Sequence, residues 1–91
     1  MSSEVNKIYN LYEIFRDFNR LRILVAIYEK ECTIKELSDS VNLNIISITH
    51  QLEFLIGKKV VTKLEVDDIT KYKLSDKRFN KIINQIINYI K

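Results

Sequence analysis

The chain has 91 residues, enough for one domain, and at this size a single chain buries only about 60–65% of its unfolded surface, so a partner chain would add stability. Apolar residues make up 46% and charged residues 30%, which excludes a disordered chain. One cysteine excludes an intramolecular disulfide and one glycine excludes a phosphate loop and a dinucleotide fingerprint, and no hydrolytic or redox constellation stands out around the single histidine, so an enzyme is not expected. No apolar run reaches the ~18 residues of a membrane-spanning helix and no signal-peptide pattern opens the chain, so a cytoplasmic protein is expected. The formal net charge is +3, and the excess lies in the last third, where residues 60–91 hold seven basic against four acidic side chains. That surplus fits an anionic partner and equally a solvated surface.

With no proline and only Gly57 as glycine, element boundaries have to come from caps and periodicity. Val5, Ile8, Tyr12 and Phe15 step by three, four and three, which predicts a first amphipathic helix. Asn19 can cap a second helix in which Leu21, Ile23, Leu24, Val25, Ala26, Ile27 and Tyr28 leave almost no polar face, the pattern of a helix covered on most sides.

Thr33-Ile34-Lys35-Glu36 is a capping box that starts a short third helix running to about Val41. Asn42 can then turn left-handed and Asn44 can cap a fourth helix. In that helix Ile45, Ile48, Leu52 and Leu55 are expected to face inward and Ser47, His50 and Glu53 to lie on other faces.

From Val60 the period changes to two. Val60, Thr62, Leu64 and Val66, with Thr70, Tyr72 and Leu74, form one mainly apolar face of a hairpin. Pairing within that face sets Leu64 opposite Tyr72 and Val66 opposite Thr70, with Asp67, Asp68 and Ile69 as the loop. Glu65 then faces Lys71, and Lys63 faces Lys73. Asp76 can cap a last helix in which Phe79, Ile83, Ile86 and Ile90, flanked by Ile82, Ile87 and Tyr89, present more apolar surface than one small domain covers.

The fold class is therefore mainly α with a small β-hairpin, in the order of a winged helix-turn-helix, spanning residues 1–91 as a single domain. From Leu11 to Leu74 the chain resembles the ArsR/SmtB family of repressors. The matching segments are Arg16-Asp17-Phe18-Asn19-Arg20-Leu21-Arg22-Ile23-Leu24, Thr33-Ile34-Lys35-Glu36-Leu37-Ser38 and Ser47-Ile48-Thr49-His50-Gln51-Leu52-Glu53-Phe54-Leu55.

The resemblance implies a homodimer built by helices over residues 5–16 and 77–90, with Ile8, Tyr12, Phe15, Phe79, Ile83, Ile86 and Ile90 at the interface. It implies a double-stranded DNA partner carrying an imperfect inverted repeat, with half-sites about one helical turn, or roughly 10 bp, apart. Ser47, Thr49, His50 and Gln51 fall where the family reads DNA, Gln51 being able to pair with adenine if it points outward; Asn44 and Ile46 stand at the start of the same helix. Ile46 can touch a thymine methyl or pack on the third helix.

Lys63, Lys71 and Lys73, expected on the outer face of the hairpin, and Lys35 are candidates for phosphate contacts. Lysines on an exposed strand also guard an edge against aggregation. Asp67 and Asp68 at the hairpin tip would be repelled by phosphate, so the tip is not expected to enter the minor groove.

Metal-sensing members carry a cysteine pair where this chain has Thr33 and Lys35, so no metal and no cofactor is expected. Cys32 beside a helix start is a possible oxidisable thiol or a small buried side chain. A DNA-binding repressor is the leading expectation, and a winged-helix protein-interaction module without specific DNA binding is the alternative.

Overall fold

A computed structural model describes residues 3–90, excepting the side chain of Ile90. The elements are α1 (Ser3–Phe15), α2 (Phe18–Glu29), α3 (Ile34–Val41), α4 (Ile45–Gly57), β1 (Val61–Val66), β2 (Ile69–Leu74) and α5 (Lys77–Ile90). This is the expected order of a winged helix-turn-helix.

The core is collected from every element. Ile14 of α1, Ile23, Leu24 and Ile27 of α2, Leu37 and Val41 of α3, Ile48, Leu52 and Leu55 of α4, Val60 and Val61, Tyr72 and Leu74 of the hairpin and Ile83 of α5 are all buried. At about 25 cal/mol per Å² of apolar surface removed from water, this shared burial is the main force holding α2 at the centre.

Several boundaries differ from the sequence reading. α2 is capped by Asp17, whose carboxylate accepts from the Arg20 N–H at 3.0 Å; Asn19 lies inside the helix and accepts from Arg22 instead. α1 turns Ile14 inward and leaves Val5, Ile8 and Tyr12 exposed. Ile83 is only 1% exposed in the single chain, so it belongs to the chain's own core and offers no surface for a dimer interface.

The hairpin register is shifted by one residue from the expected one. Val61 pairs with Leu74, Thr62 with Lys73, Lys63 with Tyr72, Leu64 with Lys71, Glu65 with Thr70 and Val66 with Ile69. The loop is therefore two residues, Asp67 and Asp68, with φ of 52° and 64°. Two left-handed residues in a two-residue loop match the right-handed twist of the strands, which a longer loop need not do. A one-residue slip inverts the faces. Val61 joins Tyr72 and Leu74 in the core, whereas Leu64, Val66 and Ile69 turn outward and line a shallow groove with Glu31 and Lys71. Glu65 does not oppose Lys71, and Lys63 does not oppose Lys73; Lys63 pairs with Glu65 on its own strand at 3.8 Å.

The far edge of β2 is closed by Cys32. Its N–H donates to the Tyr72 carbonyl at 3.1 Å and its carbonyl accepts from the Tyr72 N–H at 2.7 Å. The last helix begins as expected at Asp76, whose carboxylate accepts from the Arg78 N–H at 2.8 Å. The Tyr28 hydroxyl ties α5 back to α2 by donating to Asn84 at 2.9 Å.

The exit from α4 shows a mismatch between residue and conformation. The Lys59 N–H donates to the Ile56 carbonyl and the Val60 N–H to the Leu55 carbonyl, both at 2.9 Å, and Lys59 adopts φ 63°. This is a Schellman motif completed by buried Leu55 and Val60, but its left-handed position holds a lysine while the glycine sits two residues earlier, inside the helix. A methyl group at Gly57 would meet nothing within 4 Å. Gly57→Ala and Lys59→Gly are each expected to raise the unfolding free energy, by up to about 1 kcal/mol, in urea titrations.

Candidate nucleic-acid interface

The helix-turn-helix is fixed by local chemistry at each joint. At the start of α3 the Glu36 N–H donates to Thr33 Oγ1 at 3.1 Å, and the Thr33 N–H donates to Glu36 Oε1 at 2.9 Å. The Thr33 N–H first, and the Lys30 ammonium at 3.1 Å next, hold the Glu36 carboxyl down at about 2 from its ordinary 4.5. Asn42 takes φ 57° and ψ 47°, which ends α3 and reverses the chain. Asn44 then caps α4, accepting from the Ser47 N–H at 2.8 Å.

Ile48, Leu52 and Leu55 anchor α4 in the core as the spacing predicts. Ile45 does not join them; it is 57% exposed, and Ile46 is 70% exposed, with little of its side chain covered by α3 or any other element. Ile46, Thr49, His50 and Glu53 stand on one outward face, with Thr49 half-buried and the other three exposed; Ser47 is half-buried beside them. The face carries no Lys or Arg.

Gln51 is directed elsewhere. Its Oε1 accepts from Arg20 Nε at 3.0 Å, so its amide oxygen is engaged inside the chain and not held out toward a base. Arg20 also donates through Nη1 to the Glu13 carbonyl at 2.6 Å and the Ile14 carbonyl at 3.4 Å, and its guanidinium lies 3.9 Å from the centroid of the Phe54 ring. Arg22 donates to the Val41 carbonyl at the end of α3. Both arginines thus satisfy helix C-terminal carbonyls that have no intrahelical partner. Neither is singled out by periodicity; the signal is an arginine pair inside a helix that otherwise has almost no polar face.

The cationic candidates are scattered. Lys35 projects from α3 in an exposed i,i+4 pair with Asp39 at 3.7 Å. Lys71 and Lys73 share the outward face of the hairpin, whereas Lys63, opposite Tyr72, lies on the other face. The three do not form one row. Cys32 is buried, and burial pushes its thiol pKa up, which favours the small buried side chain over the oxidisable thiol. Among the described residues no group of three or more His, Cys, Asp or Glu side chains could hold a metal ion, and no helix is long and apolar enough to cross a membrane.

Solved structures share this arrangement over nearly the whole chain. HlyU of Vibrio cholerae superposes with a TM-score of 0.88 at 21% identity, covering 98% of this chain and 97% of that one. The transcriptional repressor BigR of Xylella fastidiosa gives 0.84 at 19% identity, covering 98% and 96%. The homodimeric winged helix-turn-helix DNA-binding domain of Mb0332 from Mycobacterium bovis, a possible ArsR-family regulator, gives 0.84 at 11% identity, covering 97% and 82%. The fold is a winged helix-turn-helix. No family model and no curated protein matches the sequence.

The capping box gives the helix-turn-helix an acid-sensitive joint. Because the folded pKa of Glu36 is depressed, its stabilising effect is complete above its ordinary value of 4.5 and is lost as pH falls toward about 2. Thermal midpoints measured from pH 7 to 2 should show Glu36→Gln less stable than the parent at neutral pH, with the difference closing across that window.

Proposed function

We propose that this chain is a regulator of the ArsR/SmtB type, a homodimeric repressor that binds double-stranded DNA in the cytoplasm and has no catalytic role. The observation that carries the reading is the outward face of α4. Ile46, Thr49 and His50 stand uncovered or partly covered on a helix anchored by three buried residues, at the position that enters the major groove in helix-turn-helix proteins. BigR is a transcriptional repressor and the Mb0332 fragment a homodimeric DNA-binding domain, and both share the fold.

The dimer is supported by apolar surface at the two ends of the chain. Ile8 and Tyr12 of α1 are 66% and 61% exposed, Ile86 of α5 is also exposed, and Leu11, Phe79 and Ile82 line a groove between the two helices. Phe15 and Phe79 are half-buried against the core; Ile90's side chain lies outside the described residues. A two-fold dimer presents two copies of α4, which calls for an imperfect inverted repeat with half-sites about 10 bp apart.

In this reading Thr49, His50 and Ser47 contact bases and backbone, with exposed Asn44 capping the helix and Gln51 holding it to Arg20. Lys35, Lys71 and Lys73 contact phosphates, and Lys63, on the opposite face of the hairpin, does not. A protein-interaction module is favoured by one feature, the outward apolar groove at Leu64, Val66 and Ile69 beside the acidic turn.

Fluorescence anisotropy with a labelled duplex selected by the full chain from a random-sequence library separates the two readings. Six lysine–phosphate contacts per dimer predict an affinity loss of about 10³ between about 50 and 200 mM salt. His50→Ala should cost about 1–3 kcal/mol on the selected duplex and little on a scrambled one. Ile8→Asp with Tyr12→Asp should sediment as a folded monomer and lose specific binding. Absence of any duplex preference contradicts the repressor and supports the interaction module.

A further inference from the structure

Isoleucines at the opening of a helix that enters DNA are costly to leave in water, and Ile45 and Ile46 are both more than half exposed with the rest of α4 firmly docked. Resting on the DNA-binding reading above, we propose that this pair reads thymine, Ile46 packing against the C5-methyl group in the major groove with Ile45 flanking it.

The side chains that read guanine, adenine and cytosine in paired fashion are absent from the start of α4 or engaged within the chain, leaving single polar contacts to Ser47, Thr49 and His50. Guanine is read by Arg or Lys, and α4 carries neither on any face. Adenine is read by an amide that accepts and donates at once. The Asn44 oxygen accepts from the Ser47 N–H and the Gln51 oxygen from Arg20, so both amides are oriented by partners within the chain. Cytosine is read by a carboxylate, and Glu53 stands seven residues beyond Ile46, about 10 Å farther along the helix.

Base contacts in this motif come from the first residues of the recognition helix, where Ile45 and Ile46 are the uncovered side chains. The apolar group that the major groove offers there is the thymine methyl. Thr49 and His50 follow Ile46 at three and four residues on the same face and supply the polar contacts that flank it.

Replacing each thymidine of the library-selected duplex by deoxyuridine, one at a time, removes the methyl and leaves every hydrogen-bonding group in place. At one or two positions per half-site the affinity of the full chain should fall about fourfold, the value of one buried methyl-sized group. Ile46→Ala, at an exposed position, should keep its helical circular dichroism, weaken binding to the parent duplex, and become indifferent to deoxyuridine at those positions. Ile45→Ala provides a second variant with the same expected direction. If every deoxyuridine duplex binds as tightly as the parent while the scrambled duplex still binds worse, the thymine reading is wrong and DNA binding stands. If no duplex is preferred, both fail.

Discussion

Arg20 is the contact on which the geometry depends. From α2 it reaches the terminal carbonyls of α1 through Nη1 and the amide of Gln51 on α4 through Nε, with its guanidinium over Phe54. One planar, permanently charged group thus sets α4 against the helix that carries the exposed Ile8 and Tyr12. Arg22, about 200° around α2, does the corresponding work for the end of α3. A lysine could supply the charge at either place but not the forked set of donors. The placement of α4 against α1 is therefore tied inside the chain, and in the proposed two-fold dimer it would determine how far apart the two copies of α4 stand.

In the proposed reading, specificity and stability come from different residues within α4. Ile48, Leu52 and Leu55 are buried, Gln51 and Phe54 are held by Arg20, and the remaining outward face is short, uncharged apart from Glu53, and led by two isoleucines. A surface with so little positive charge adds little long-range attraction of its own. The lysines on α3 and β2 would supply that, and they carry no sequence information. In that reading, discrimination would rest on a few apolar and hydroxyl contacts and on His50.

What the sequence makes legible follows from how local the cause is. The α3 capping box, the left-handed Asn42 and the Asn44 cap are all decided within four residues, and each is found where the pattern puts it. The hairpin register is decided by which of Val60 and Val61 begins the alternation, and both are buried, so a period of two fits either choice until the two-residue turn selects one. Ile83 reads as one more member of a wide apolar stripe on α5, and only packing against the other helices assigns it to the core. The Arg20–Gln51 bond joins residues 31 apart, which no spacing argument reaches, and it changes Gln51 from a candidate reader into a support.

In the proposed function, α4 is the surface that meets DNA. Amide chemical-shift mapping of the ¹⁵N-labelled full chain, titrated with its selected duplex, tests that claim residue by residue. The largest shifts should fall on Ile45, Ile46, Thr49 and His50, with smaller ones at Lys35 and along Lys71 to Lys73, while Ile23, Leu24 and Ile83 in the core stay in place. Shifts confined to the hairpin groove at Leu64, Val66 and Ile69, with the first two turns of α4 unmoved, would contradict it.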